Sequence, residues 1–152
     1  MKKVALAFIL LILFITGCRG RSDDSGIVEI RENMFIAQIN EINLNYREYL
    51  GRTIKLEGFF QHNYWEDYNW FYVVRNVPDC CGDSGVLGFE VSWDPAFDGT
   101  NYDIDMSQWP ESNAWVEAVG ELGNYEFFGN RLFLVLSELN VLEKRGLDLV
   151  HR

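Results

Sequence analysis

Thr53-Ile54-Lys55-Leu56-Glu57-Gly58-Phe59 is the stretch that decides the fold. Ile54 and Leu56 alternate with Lys55 and Glu57, the period of two expected of a strand with one face in a core and the other in water. Gly58 then breaks the alternation, as glycine does where a barrel strand bends. The first long strand is therefore expected over 53–64. An aromatic and β-branched run follows over 69–77, with 65–68 as the hairpin loop. That loop would set Tyr64 opposite Asn69 and His62 opposite Phe71.

Further along, 86–93 reads as a third strand with Leu87, Phe89, Val91 and Trp93 on one face. Residues 94–113 lack periodicity and hold two prolines, a glycine and several acids, so a long loop is expected there. The last two strands fall at 114–122 and 131–142, joined around 123–130. Five main strands, with glycines in the first and fourth, predict an all-β chain folded as an OB-like five-stranded Greek-key barrel. A β-sandwich is the structural alternative. Upstream, Ile27-Val28-Glu29-Ile30-Arg31 alternates as a short strand. Asn33 is placed to cap a helix with an apolar face of Phe35, Ile36, Ile39 and Ile42. A second helical turn over 45–50 ends at Gly51.

The N-terminus carries a different signal. Lys2 and Lys3 precede an apolar run from Val4 to Ile15 of about twelve residues, short of the ~20 that span a bilayer. The run closes in Ile15-Thr16-Gly17-Cys18, which resembles a bacterial lipobox with isoleucine at the usual leucine position. The resemblance implies cleavage before Cys18 and lipidation of its thiol and new amino group. More than one acyl chain would make the attachment stable. The expected organisation is a lipoprotein signal peptide (1–17), a polar tether (18–26), a barrel domain (27–145) and a C-terminal tail (146–152). Localisation would be extracytoplasmic, in the cell envelope, held to the membrane by lipid.

The formal charge of −10 argues against nucleic acid, whose affinity comes largely from cationic contacts to phosphate. It equally disfavours adsorption to anionic headgroups.

Val77-Pro78-Asp79-Cys80-Cys81-Gly82-Asp83-Ser84-Gly85 holds the adjacent cysteines. Neighbouring Cα atoms lie about 3.8 Å apart, whereas disulfides prefer ~4.4–6.8 Å, so a bond between them would be strained and reducible. Three readings stay open: structural thiols, a thiolate site for a thiophilic ion such as zinc with Asp79 or Asp83 adding oxygen, and a redox pair. Against the last, no Cys-x-x-Cys helix start is present. His62 falls nine positions from Cys80 along the paired strands, roughly 30 Å at ~3.3 Å per residue. His151 is near the C-terminal end, so neither histidine is expected as a ligand.

Tyr49-Leu50-Gly51-Arg52-Thr53-Ile54-Lys55-Leu56-Glu57-Gly58-Phe59, the strand ending in Val74-Arg75, the cysteine pair, Gly88-Phe89-Glu90-Val91 and Trp115-Val116-Glu117-Ala118-Val119-Gly120 recur in one order. In that order the chain, over 27–142, resembles the C-terminal domain of the YcgQ-type bacterial membrane proteins, which are associated with a predicted permease. Those proteins carry transmembrane helices where this chain has a lipid signal. Their Ala-Ala-Asp after the cysteines is Gly82-Asp83-Ser84 here, so the acid comes one residue early. The resemblance implies an OB-like domain of the envelope working beside a permease, with Cys80 and Cys81 carried over. It implies no known catalytic activity.

A second candidate site is aromatic. Tyr64, Trp65, Tyr68, Trp70 and Tyr72 surround the first hairpin, and Tyr125, Phe127 and Phe128 fall in the last strand connection. In an OB barrel these two loops lie on one side and both contribute to ligand binding. They would serve an oligosaccharide or peptide, or close the end of the core. The acids Asp94, Asp98, Asp103, Asp105 and Glu111 share a loop without EF-hand spacing and read as a solvated loop. No Ser/His/Asp arrangement, phosphate-cradling glycine loop or His-Glu-x-x-His is present. Binding rather than catalysis is the expected role.

Overall fold

The computed structural model describes residues 26–65, 68–78, 84–100, 104–147 and 149–150. A short β1 (Ile27–Glu29) is followed by a 3-10 turn, the helix α1 (Phe35–Leu44) and a helical turn α2 (Tyr46–Tyr49). The barrel strands are β2 (Thr53–Trp65), β3 (Tyr68–Pro78), β4 (Ser84–Ser92), β5 (Trp115–Glu126) and β6 (Asn130–Val141). They pair in the order β2-β3-β4-β6-β5, and β5 pairs back onto β2 to close the ring. β4 and β6 run parallel, with Val91 opposite Leu134; the other barrel pairs are antiparallel. A three-strand meander whose long connection places β5 beside β2 and β6 beside β4 is the Greek-key order of an OB barrel.

The period-two pattern explains which side chains fill it. Ile54, Leu56 and Phe60 of β2 meet Phe71 and Val73 of β3, Phe89 and Val91 of β4, and Leu134 and Leu136 of β6 in one buried cluster. Leu87 is partly buried against it. Phe35, Ile39 and Ile42 join the same cluster, so the apolar stripe of α1 packs onto the barrel interior. Closure also needs close backbone approaches. A Cβ on Gly88 would stand 2.1 Å from the carbonyl oxygen of Val73, and one on Gly58 would stand 2.5 Å from that of Val74. Only glycine fits where neighbouring strands press on β3 from both sides.

Several expected boundaries are moved. The pairs Tyr64–Asn69 and His62–Phe71 form as expected, but Trp65 also pairs with Tyr68, so each strand runs one residue further than expected. β5 and β6 extend to Glu126 and Asn130, so their connection is 127–129, with Phe128 and Gly129 at φ 51° and 117°. Asn33 does not cap α1: it lies in the 3-10 turn, and Met34 holds the cap position without a side-chain bond. Trp93 lies beyond the end of β4 and is partly exposed.

Below β1 the barrel is tied by a buried cation. Arg75 on β3 is 2 % exposed. Its Nε donates to the Glu57 carbonyl at 2.7 Å and Nη1 to Glu32 Oε1 at 3.0 Å. The guanidinium sits between the rings of Phe35 and Trp115, at 5.1 and 4.8 Å. Glu32 also accepts the backbone N–H of Leu147, and the Val150 N–H donates to the Asn76 carbonyl. The described part of 146–150 thus lies against the barrel, with Val150 buried.

Candidate functional site

Alternation along β3 turns Phe71 and Val73 inward and leaves Tyr68, Trp70 and Tyr72 on the outer surface. The turn at 127–129 brings the second set of rings to them. Tyr68 and Trp70 stack at 5.6 Å and 11°, and Phe127 lies 6.5 Å from Tyr68 and 6.4 Å from Trp70. Phe128 packs edge-on to Phe127 at 4.9 Å and is otherwise fully exposed. A bulky residue in the left-handed region at a turn tip, presenting an uncovered ring, is uncommon. The described beginning of the long loop folds over the same surface: Phe97 packs on Tyr125 and Phe133, and the Trp70 indole N–H donates to the Gly99 carbonyl at 3.2 Å.

At the centre of this outer face is a carboxylate. Glu90 of β4 is 4 % exposed. The Tyr125 hydroxyl donates to its Oε2 at 2.7 Å, and Arg131 Nε stands 3.9 Å from the same oxygen. Oε1 is buried and has no hydrogen-bond partner. Burial pushes the Glu90 carboxyl above the usual range, while the Tyr125 hydroxyl and the Arg131 charge pull it back. Burial, and then donation to a carboxylate, raise the Tyr125 phenol well above its ordinary value. Burial also raises Tyr72, and Arg131 opposes this by charge and hydrogen bond. A groove of about 310 Å³ runs beside Glu90, lined by Asn43, Tyr72, Asn130 and Arg131 among others. Glu90 and Arg131 were not legible as part of a site. A lone acid at an outward strand position reads as solvated, and nothing local shows that Tyr125 and the loop cover it.

Of the expected aromatic residues, Tyr68, Trp70, Phe127 and Phe128 come together. Tyr125 belongs to β5 rather than to the connection and is buried as the bridge between the rings and Glu90. Tyr64 is 69 % exposed on β2. Trp65 ends β2, and its side chain lies outside the described residues, as do Cys18, Asp79, Cys80, Cys81, Asp83 and His151. His62 stacks on Phe71 at 4.9 Å and shares a 2.8 Å hydrogen bond with Asn69. In the acidic loop Asp94, Asp98 and Asp105 each accept a backbone N–H two residues ahead, from Ala96, Thr100 and Ser107. These are turn-forming bonds. Among the described residues no group of three His, Cys, Asp or Glu side chains is placed to hold a metal ion, and no helix is long and apolar enough to cross a membrane.

No curated protein and no solved structure matches the chain. The family model described as the DUF1980 C-terminal domain matches residues 17–138, in agreement at the level of the family with the YcgQ-type resemblance. With most of its length matched, the chain belongs to the DUF1980 C-terminal domain family.

Proposed function

We propose that the protein is a lipid-anchored, extracytoplasmic binding domain of the bacterial cell envelope that works beside a membrane permease by recognition rather than catalysis. The lipobox-like Ile15-Thr16-Gly17-Cys18 supports the anchor. The observation that carries the binding role is the meeting of two distant hairpins. Tyr68 and Trp70 from one and Phe127 and Phe128 from the other form a single aromatic surface at the rim of the barrel. Rings that only closed the core would be covered, whereas Phe128 is 100 % exposed. The site of an OB barrel is the outer face bounded by these two loops. Cys80 and Cys81 enter this reading on sequence grounds alone, as thiolates for a thiophilic ion such as zinc.

The test is site-specific photo-crosslinking of the full chain in intact cells. A photoreactive residue at position 128 is compared with one at 141, the exposed far end of β6, about 35 Å along the strand. Crosslinks to an integral membrane protein from 128 and not from 141 are expected. Equal products from both positions, or none from 128, would contradict the reading.

A further inference from the structure

Position 90 is an expensive place for a carboxylate unless something uses it. A buried acceptor without a donor costs about 1–3 kcal/mol, and Glu90 Oε1 is such an atom. Arg131 does not solve the problem, because its Nε approaches Oε2, where Tyr125 already donates. Glu90 lines the groove beside it, so an incoming N–H or O–H that turns the carboxylate towards it would supply the donor that Oε1 lacks.

The surroundings narrow the donor. An ammonium would be drawn to an isolated carboxylate among aromatic rings, but here the Arg131 guanidinium balances the charge of Glu90. An anion would meet Glu90 and a chain of formal charge −10. What suits a charge-balanced groove lined by a carboxylate, two amides (Asn43, Asn130), a phenol and a guanidinium is a neutral group that donates and accepts at several points. Hydroxyls on a ring do this. The platform next door has the complementary character: the exposed Phe128 and the half-buried Phe127 and Trp70 offer aromatic surface to an apolar ring face. Trp70 and Tyr72 share the outer side of β3, two residues or about 7 Å apart. Neighbouring rings of one chain could thus occupy the platform and the groove together.

From this juxtaposition we propose that the outer face is a binding site for a neutral oligosaccharide. One sugar ring stacks against the surface of Trp70, Phe127 and Phe128, and the next hydrogen-bonds with the Glu90 carboxylate, Arg131 and the Asn43 and Asn130 amides. This rests on the reading of that face as the recognition surface and gives it a ligand class.

The experiment is calorimetric titration of the detergent-solubilised full-length chain, in a detergent without a sugar headgroup. The probes are neutral tetrasaccharides of glucose, N-acetylglucosamine and mannose, with a lysine-rich tetrapeptide alongside. At least one saccharide is expected to bind with a Kd of about 1 mM or tighter. Trp70→Ala and Glu90→Gln should each weaken it about tenfold, and Val141→Ala should leave it unchanged. Glu90→Gln keeps the side-chain shape, and its melting curve verifies the fold. Absence of saccharide binding to the folded chain, binding untouched by both site variants, or preferential binding of the peptide would each overturn the proposal. If the crosslinks from position 128 persist while every saccharide fails, the ligand class is wrong and the recognition surface stands.

Discussion

Replacing Arg75 with Met keeps much of the side-chain volume and removes the charge, and its cost can be worked from the contacts. The Glu57 carbonyl, accepting from Nε at 2.7 Å, would lose its donor, worth about 1–3 kcal/mol when the group cannot reach water. Two cation–π contacts, with Phe35 and Trp115, add roughly 0.5–1 kcal/mol each. The carboxylates of Glu32 and Glu57 are 42 % and 41 % exposed, so water re-solvates them and their loss is under about 1 kcal/mol. The total is about 3 kcal/mol. With a urea m-value of about 2 kcal/mol/M, the unfolding midpoint should fall by ~1.5 M. Glu32→Gln is the control: the amide oxygen still accepts the Leu147 N–H, and the change should stay below about 1 kcal/mol. A midpoint for Arg75→Met within ~0.3 M of wild type would refute the view that this cation ties β3, the N-terminal turn and the 146–150 segment together.

Phe89→Ala empties a buried interior position and should cost about 3–5 kcal/mol; thermal melting within a degree or two of wild type would put Phe89 on the wrong face. Glu90 is raised in the folded state by burial, so the folded protein binds its proton more tightly than the unfolded chain does. Stability from this group is full below the ordinary glutamate value of about 4.3 and is lost as pH rises through the higher folded value. Glu90→Gln should therefore gain on wild type between acid and neutral pH in paired urea titrations, and a pH-independent difference would dismiss the effect. Cys18→Ala should leave the protein unprocessed or released from membranes, as read by detergent phase partition and intact mass; an unmodified wild-type mass would remove the anchor from the account. Reduced protein should take up about one zinc with release of protons, and Cys80→Ser or Cys81→Ser should each weaken uptake strongly. Slow alkylation of both thiols with no metal effect on melting would leave them as structural residues.

Much of the barrel could be read before any coordinates. Ile54 and Leu56 alternate cleanly with Lys55 and Glu57 because β2 has one face in the core. Gly58 and Gly88 stand where β3 is approached most closely, though only Gly58 looked like a bend. The meeting of the two hairpins was expected from the fold, since their place follows from strand order. What escaped was non-local. Arg75 seemed merely the end of a strand, because its partners Glu32, Glu57 and Trp115 come from three other parts of the chain. Tyr125 was placed in a loop because Gly123 and Asn124 look like turn residues, yet both pair within the ladder, opposite Phe133 and Leu132. Glu90 was invisible as a site because its burial comes from Tyr125 and the long loop, neither adjacent in sequence.

The central claim is that recognition occurs on the outer face between the two hairpins. Its most direct test is the indole N–H spectrum of the isotopically labelled full-length chain, recorded before and after addition of the saccharide that binds or the crosslinked partner. The Trp70 indole, bonded to the Gly99 carbonyl at that face, should shift, while the Trp115 indole, packed on Arg75 away from it, should stay in place. A shifted Trp115 with an unmoved Trp70 would contradict the account.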